Sequence, residues 1–275
     1  MRTRARAGWL SPVSYPPPPM PPSQPPYGGQ PPYGAAPPPP GGQSPFGGQA
    51  PYSAIGAVEY GWQKFRDNLG PFLLMGLIIF VSGMVIQFTT NLVSTGTLLG
   101  TGGAVDPETG LPEQDLIATL IQLIGGLVSG VIAWVLGLAL MRGALDVVDT
   151  GRTDFAAMFT RIPWGQAVIA GILVGLALIG GLILCIFPVF IVGFLLYYSS
   201  VAVLDGESGP GALAASFRFT TQNLGQTLLF AVLSILLIVI VTCCTLGLGS
   251  IVVTPLFAIG VAYTWRTLQG RPVAP

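Results

Sequence analysis

Few side chains in this chain are equipped for chemistry. Among 275 residues there are 11 Lys and Arg, 11 Asp and Glu, three cysteines and no histidine. Without imidazole, Ser–His and Cys–His nucleophile pairs and His-containing metal sets are excluded. The three thiols, Cys185, Cys243 and Cys244, lack metal-ligand spacing. Cys185 and Cys243 fall beside short turns, where an oxidising face would permit one bridge; small apolar filling is the plainer reading. The remaining polar groups inside apolar sequence are neutral: Ser82, Gln87, Thr119, Gln122, Ser129 and Thr242. Gln87, Gln122 and Thr242 are the candidates for a polar pathway. Their simpler role is hydrogen bonding between helices, worth about 0.5–2 kcal/mol each. No Gly-Lys-Ser/Thr phosphate loop occurs, so no catalytic, cofactor or metal residue is assigned.

The elements around these groups follow from where the charges are missing. The chain is 51% hydrophobic and only 8% charged, with a net charge of zero; a soluble domain carries about 25% charged residues. Residues 68–105, 116–141, 162–204 and 219–265 contain no ionisable Asp, Glu, Lys or Arg. A bilayer core about 30 Å thick needs roughly 20 apolar residues of helix, so the first two blocks hold one span each. The last two blocks are about twice too long for one helix. Gly180, Gly181 and Pro188, and then Gly247, Gly249 and Pro255, divide them into pairs, with each proline opening a returning helix. The expected spans are 69–91, 116–141, 166–185, 188–204, 225–243 and 247–265: an all-α, polytopic bundle of six transmembrane helices. All eleven Lys and Arg lie in 1–68, 142–161, 205–218 and 266–275, whereas the loop 92–115 is purely acidic. Six spans place those four basic segments on one side. By the positive-inside rule that side is the cytoplasm, with both termini there, in a multi-pass cytoplasmic membrane protein. The start of the chain has no apolar h-region after its arginines, so no signal peptide is expected.

One phrase is written twice. "GAVEYGWQKFRDNLGPFLL" (56–74) aligns without a gap to "GALAASFRFTTQNLGQTLL" (211–229) at an offset of 155. A weaker third copy, "FAAMFTRIPWGQAVI" (155–169), repeats the aromatic spacing through Phe155 and Phe159. Ile55, Val58, Trp62, Phe65 and Leu69 fall on one helical face, and Leu213, Phe217 and Leu224 repeat the stripe. Such a helix beside a span is expected to lie in the lipid interface. Gly70 and Gly225 are expected to bend the chain into the bilayer. The unit is therefore an interfacial amphipathic helix followed by a two-span hairpin, occurring three times.

Residues 1–52 hold most of the 26 prolines, with tyrosines interleaved. Such a segment buries too little apolar surface to order itself, so a disordered cytoplasmic tail with local polyproline II is expected ahead of a membrane domain over 53–272. The phrases "AIGAVEYGWQKFRDNLGPFL", "ILCIFPVFIVGFLLYYSSVAVLDGESGPGALAASFRFTTQNLGQTL" and "PLFAIGVAYTWRTLQGRP" resemble uncharacterised actinobacterial integral membrane proteins with Pro/Gly/Tyr-rich tails. More distantly they are similar to the membrane domain attached to some glycerophosphodiester phosphodiesterases, whose catalytic domain is separate. The resemblance implies architecture and carries over no catalytic residue. The expected partners are the lipid bilayer and proteins docked by the tail. The basic residues are too sparse for nucleic acid, and no cofactor is expected. The function expected is a non-catalytic membrane scaffold or adaptor, or alternatively a small transporter or lipid-handling permease built on neutral polar residues.

Overall fold

The computed structural model describes residues 52–100, 116–184 and 186–275. The proline-rich segment, apart from Tyr52, and Cys185 lie outside them. The described residues are helical, without strands: α1 (Ala54–Asp67), α2 (Leu69–Gly100), α3 (Leu116–Thr150), a single 3-10 turn (Ala157–Phe159), α4 (Trp164–Leu184), α5 (Ile186–Leu195), α6 (Ser199–Leu204), α7 (Gly209–Gln222), α8 (Leu224–Cys244) and α9 (Ser250–Leu268). Six of the helical stretches are long and apolar enough to cross a membrane, α5 and α6 together forming one of them. Their apolar side chains face outward in large numbers, which is the surface of a multi-pass membrane protein.

The repeat is written into the three-dimensional structure residue by residue. Ser53 and Ser208 are both N-caps, accepting hydrogen bonds from Gly56 N–H at 3.3 Å and Gly211 N–H at 3.2 Å. The buried set of α1 is Ala54, Ala57, Gly61, Lys64 and Phe65; that of α7 is Gly209, Ala212, Ser216, Phe219 and Thr220, the same five positions at the offset of 155. The helices end alike. Asn68 Nδ2 donates to Lys64 O at 3.1 Å, and Asn223 Nδ2 donates to Phe219 O at 3.0 Å, with matching backbone at φ −122° and −119°. The bend into each following span therefore sits at Asn68 and Asn223, two residues before the glycines expected to make it. Gly70 and Gly225 are ordinary helical residues facing open space. The ends of the three returning spans also match. Gly151, Gly206 and Gly270 all take positive φ, at 83°, 105° and 69°, where a side chain would be strained.

The middle copy differs. Its lead-in is one 3-10 turn instead of an amphipathic α-helix. Pro163 stands where the other copies have Asn68 and Asn223, and a proline disfavours the α region for the residue before it, here Ile162, which is outside any helix. The run from Gly151 to Pro163 is also shorter than that from Gly206 to Asn223, by about a turn and a half of helix. Proline and lost length together remove the room for a third interfacial helix.

α9 is the hub. Two-thirds of its span is buried, against a third or less for each of the other five. It packs on α1, α2, α3 and α8. Pro255, expected to open this helix, lies in its interior. It has no N–H for the Ile251 carbonyl, one turn back. That carbonyl faces Gly76 on α2, where an added Cβ would sit 2.1 Å from the oxygen. Glycine alone lets the α2 backbone approach the group that the proline leaves unpaired.

Candidate functional site: the charged end of the bundle

The clustered charges meet where the three hairpins return. Asp149 is in the last turn of α3, Asp205 follows α6, and Arg266 lies in the last turn of α9. Arg266, whose side chain is 8% exposed, donates Nε and Nη2 to the two carboxylate oxygens of Asp149 at 2.8 Å each. Its Nη1 donates to Asp205 Oδ1 at 2.6 Å. The planar fork of arginine permits this double engagement. Asp205 accepts further bonds from Trp265 Nε1 at 3.2 Å and Arg271 Nη1 at 2.6 Å. Burial alone would raise the Asp205 pKa, but the bonds from Arg266 and Trp265 and the positive charges of Arg266 and Arg271 outweigh it, holding it below the usual carboxylate range. One guanidinium thus ties the ends of all three hairpins.

Around this clasp, polar and aromatic groups are likewise committed. Asn68 also donates Nδ2 to Gly151 O at 3.1 Å, and its Oδ1 accepts from Thr153 N–H at 3.1 Å. Lys64 donates to the main-chain oxygen of Pro275. Tyr60 donates to Ala274 O at 2.9 Å and packs on Tyr263 with ring centroids 4.4 Å apart. Burial, then the neighbouring Tyr263 and Asp149, push the Tyr60 phenol well above its ordinary value. A second ion-pair cluster joins Arg142 to Asp146 at 2.8 Å and Asp146 to Arg161 at 3.2 Å.

The residues singled out by sequence fall in separate surroundings. Ile55 and Trp62 are 63% and 45% exposed on the outer edge of α1, as a lipid-facing stripe would be, and Phe217 is exposed on α7. Val58 and Leu213 are half-buried. Phe65 turns inward, 2% exposed, with the Ala54–Ala57–Gly61 side of α1 that packs on α9. Phe155 and Phe159 form an edge-to-face pair at 5.4 Å beside the 3-10 turn. Gln87 is exposed on α2. Gln122 is exposed on α3 and donates to Asn91 Oδ1 at 3.3 Å. Thr242 is half-buried on α8, its hydroxyl without a hydrogen-bond partner. Cys243 and Cys244 are exposed free thiols; Cys185, the other half of the expected bridge, lies outside the described residues.

Sequence reasoning missed the Arg266 clasp and treated these charges as markers of sidedness. The signal was present in the similar turns "VVDTG" (147–151) and "VLDGE" (203–207), with an aspartate two residues and one residue, respectively, before a left-handed glycine. It also missed a break in the fourth span between α5 and α6. There Ser216, fully buried on α7, donates to Leu195 O at 2.8 Å and accepts from Tyr198 N–H at 3.1 Å, satisfying the backbone groups that the break exposes. Tyr197 at the break lines two apolar hollows: about 290 Å³ against Trp134 and Gly171, and about 490 Å³ against Phe230 and Ser234.

No family model and no solved structure matches the chain. It is similar to uncharacterized proteins of Mycobacterium bovis and of two strains of Mycobacterium tuberculosis. Each is 28% identical over 228 residues, covering 79% of this chain and 69% of the relative. The relatives' descriptions assign no activity, so the functional reading rests on the molecule itself.

Proposed function

We propose that this protein is a non-catalytic scaffold or adaptor of the cytoplasmic membrane, with both termini on the cytoplasmic side. The observation that carries this reading is the Arg266 clasp. Arg266, Asp149, Asp205 and Arg271 are spent on one another, locking three hairpins into a frame while the spans keep their apolar faces outward. The concentration of every Lys and Arg outside the apolar blocks supports the sidedness. On this frame the proline- and tyrosine-rich residues 1–52 dock partner proteins. The wider likeness to the membrane domain of glycerophosphodiester phosphodiesterases rests on the quoted phrases alone and assigns no activity. Deleting residues 1–52 and comparing copurifying proteins from native membranes tests this docking: loss of specific partners is expected, and an unchanged set defeats it.

One observation favours the alternative of a small permease. The fourth span is broken at Leu196–Tyr198 and flanked by two hollows, an arrangement that transporters use around a substrate. Reconstitution into liposomes separates the readings. Saturable uptake of a solute, abolished by Tyr197→Ala, would replace the scaffold with a transporter.

A further inference from the structure

The shortened middle lead-in leaves a cleft where its two counterparts place a helix. Between the last turn of α3 and the 3-10 turn lies a hollow of about 400 Å³, lined by Asp146, Thr150, Arg152, Asp154 and Arg161 among others. The hollows around Tyr197 have apolar walls; this one is walled by charge. Two guanidiniums, Arg152 and Arg161, and two carboxylates, Asp146 and Asp154, line it; Arg142 reaches Asp146 from outside the lining, and Asp154 accepts from Ala157 N–H at 2.9 Å. Asp146 is already divided between Arg142 and Arg161. Among the described residues Arg152 forms no ion pair, and Arg161 engages Asp146 through Nη2 alone, with its side chain 65% exposed. Because Arg142 already draws on Asp146, the two lining guanidiniums keep donors to spare in a concave, partly enclosed space.

Arg161 is also strained. Its φ is 56°, in the left-handed region that a long side chain rarely occupies. Strain of this kind persists where the surroundings impose it, and it gathers at binding sites. The level of the cleft points to its ligand. α3 has 35 residues, about 52 Å of helix at 1.5 Å per residue, against a hydrocarbon core of about 30 Å. Its last turn, with Asp146 and Thr150, therefore stands at the depth of lipid headgroups. The Phe155–Phe159 pair and the exposed Trp164 beside the cleft suit the same boundary.

We propose that this cleft binds a phosphate group, the phosphodiester of an anionic lipid headgroup, with Arg152 and Arg161 as its ligands. Arginine forks match phosphate oxygens in geometry and charge. The cleft recruits one headgroup at a fixed position, beyond the loose attraction of a basic surface for an anionic leaflet. The inference rests on the membrane reading and not on the scaffold or the tail.

The test uses the full chain in a non-ionic detergent, titrated separately with dihexanoylphosphatidylglycerol and with inorganic phosphate. Saturable binding of the phosphatidylglycerol is expected, weakened about tenfold by Arg152→Gln and by Arg161→Gln, the loss of one charge-assisted bond each. Arg218→Gln, on the exposed side of α7, should leave binding unchanged. Equal binding of inorganic phosphate would retain the site and assign it to phosphate from solution. Absence of saturable binding by either probe, or binding indifferent to both glutamine variants, overturns the proposal. Arg161→Gly guards against misfolding as an explanation, because glycine relaxes the strained backbone while removing the ligand. Its melting temperature should not fall, and its binding should be lost; lowered melting with binding intact would make Arg161 structural and overturn the assignment.

Discussion

Arg266 touches the returning end of every hairpin, so its loss should be felt throughout the molecule. Arg266→Leu strands Asp149 and Asp205 beside one another without their shared cation. Breaking a buried pair costs about 3–5 kcal/mol, and the partial exposure of Asp149 reduces this to roughly 2–4 kcal/mol. The expected result is a marked drop in the melting temperature of the detergent-solubilised chain, with Arg266→Lys intermediate because it keeps the charge and loses the fork. The same cluster sets an acid limit. Asp205 has a depressed pKa in the folded state, so its contribution is complete above the unfolded carboxylate value and disappears as pH falls through the folded one. Melting temperature should therefore decline on acidification below the ordinary carboxylate range. Asp205→Asn should start lower and show a shallower decline.

At the scale of the element, the two asparagine bends offer an internal comparison. Asn223 makes one side-chain bond, to Phe219 O, while Asn68 makes three, two of them to the segment that follows α3. Asn223→Ala should cost about 1 kcal/mol and Asn68→Ala about two to three times as much, since each net hydrogen bond contributes about 1 kcal/mol. Paired thermal melts check the ratio. Gly76→Ala forces a methyl onto the Ile251 carbonyl, and overpacking of this kind costs about 1–3 kcal/mol. These elements also show what sequence makes legible. The spans were readable because lipid excludes charge, a constraint that acts on every residue of a span. The offset of 155 was readable because the copies share "NLG" and their aromatic spacing. The α1 stripe was half right: lipid selects Ile55 and Trp62, but contact with α9 selects small residues one position away, and Ala and Gly leave little trace in a hydropathy pattern. The missing middle helix was signalled by Pro163, which was outweighed by the aromatic repeat. The Arg266 clasp was hidden because its members are 117 and 61 residues apart and meet only when the hairpins close.

For the whole molecule, the arrangement fixes which loops share a side. In a chain with Cys185, Cys243 and Cys244 replaced by serine, single cysteines placed by Arg152→Cys and Leu246→Cys should react with an impermeant maleimide from opposite faces. Leu246, 93% exposed in the turn joining α8 to α9, should label in intact cells; position 152 should label only after permeabilisation. Labelling of both from one face would undo the six-span arrangement.

The central place of α9 bears on how the molecule is made. It is the last span in the chain, so the first hairpin, α2 and α3, enters the bilayer before the helix that both of its members pack against has been synthesised. Until then Gly76 faces only lipid, and Asp149 and Asp205 wait for a cation that has yet to leave the ribosome. A nascent chain halted before Ser250 should be an open assembly that quality-control proteases recognise, and arrival of Trp265 and Arg266 should be the moment at which it becomes resistant to them.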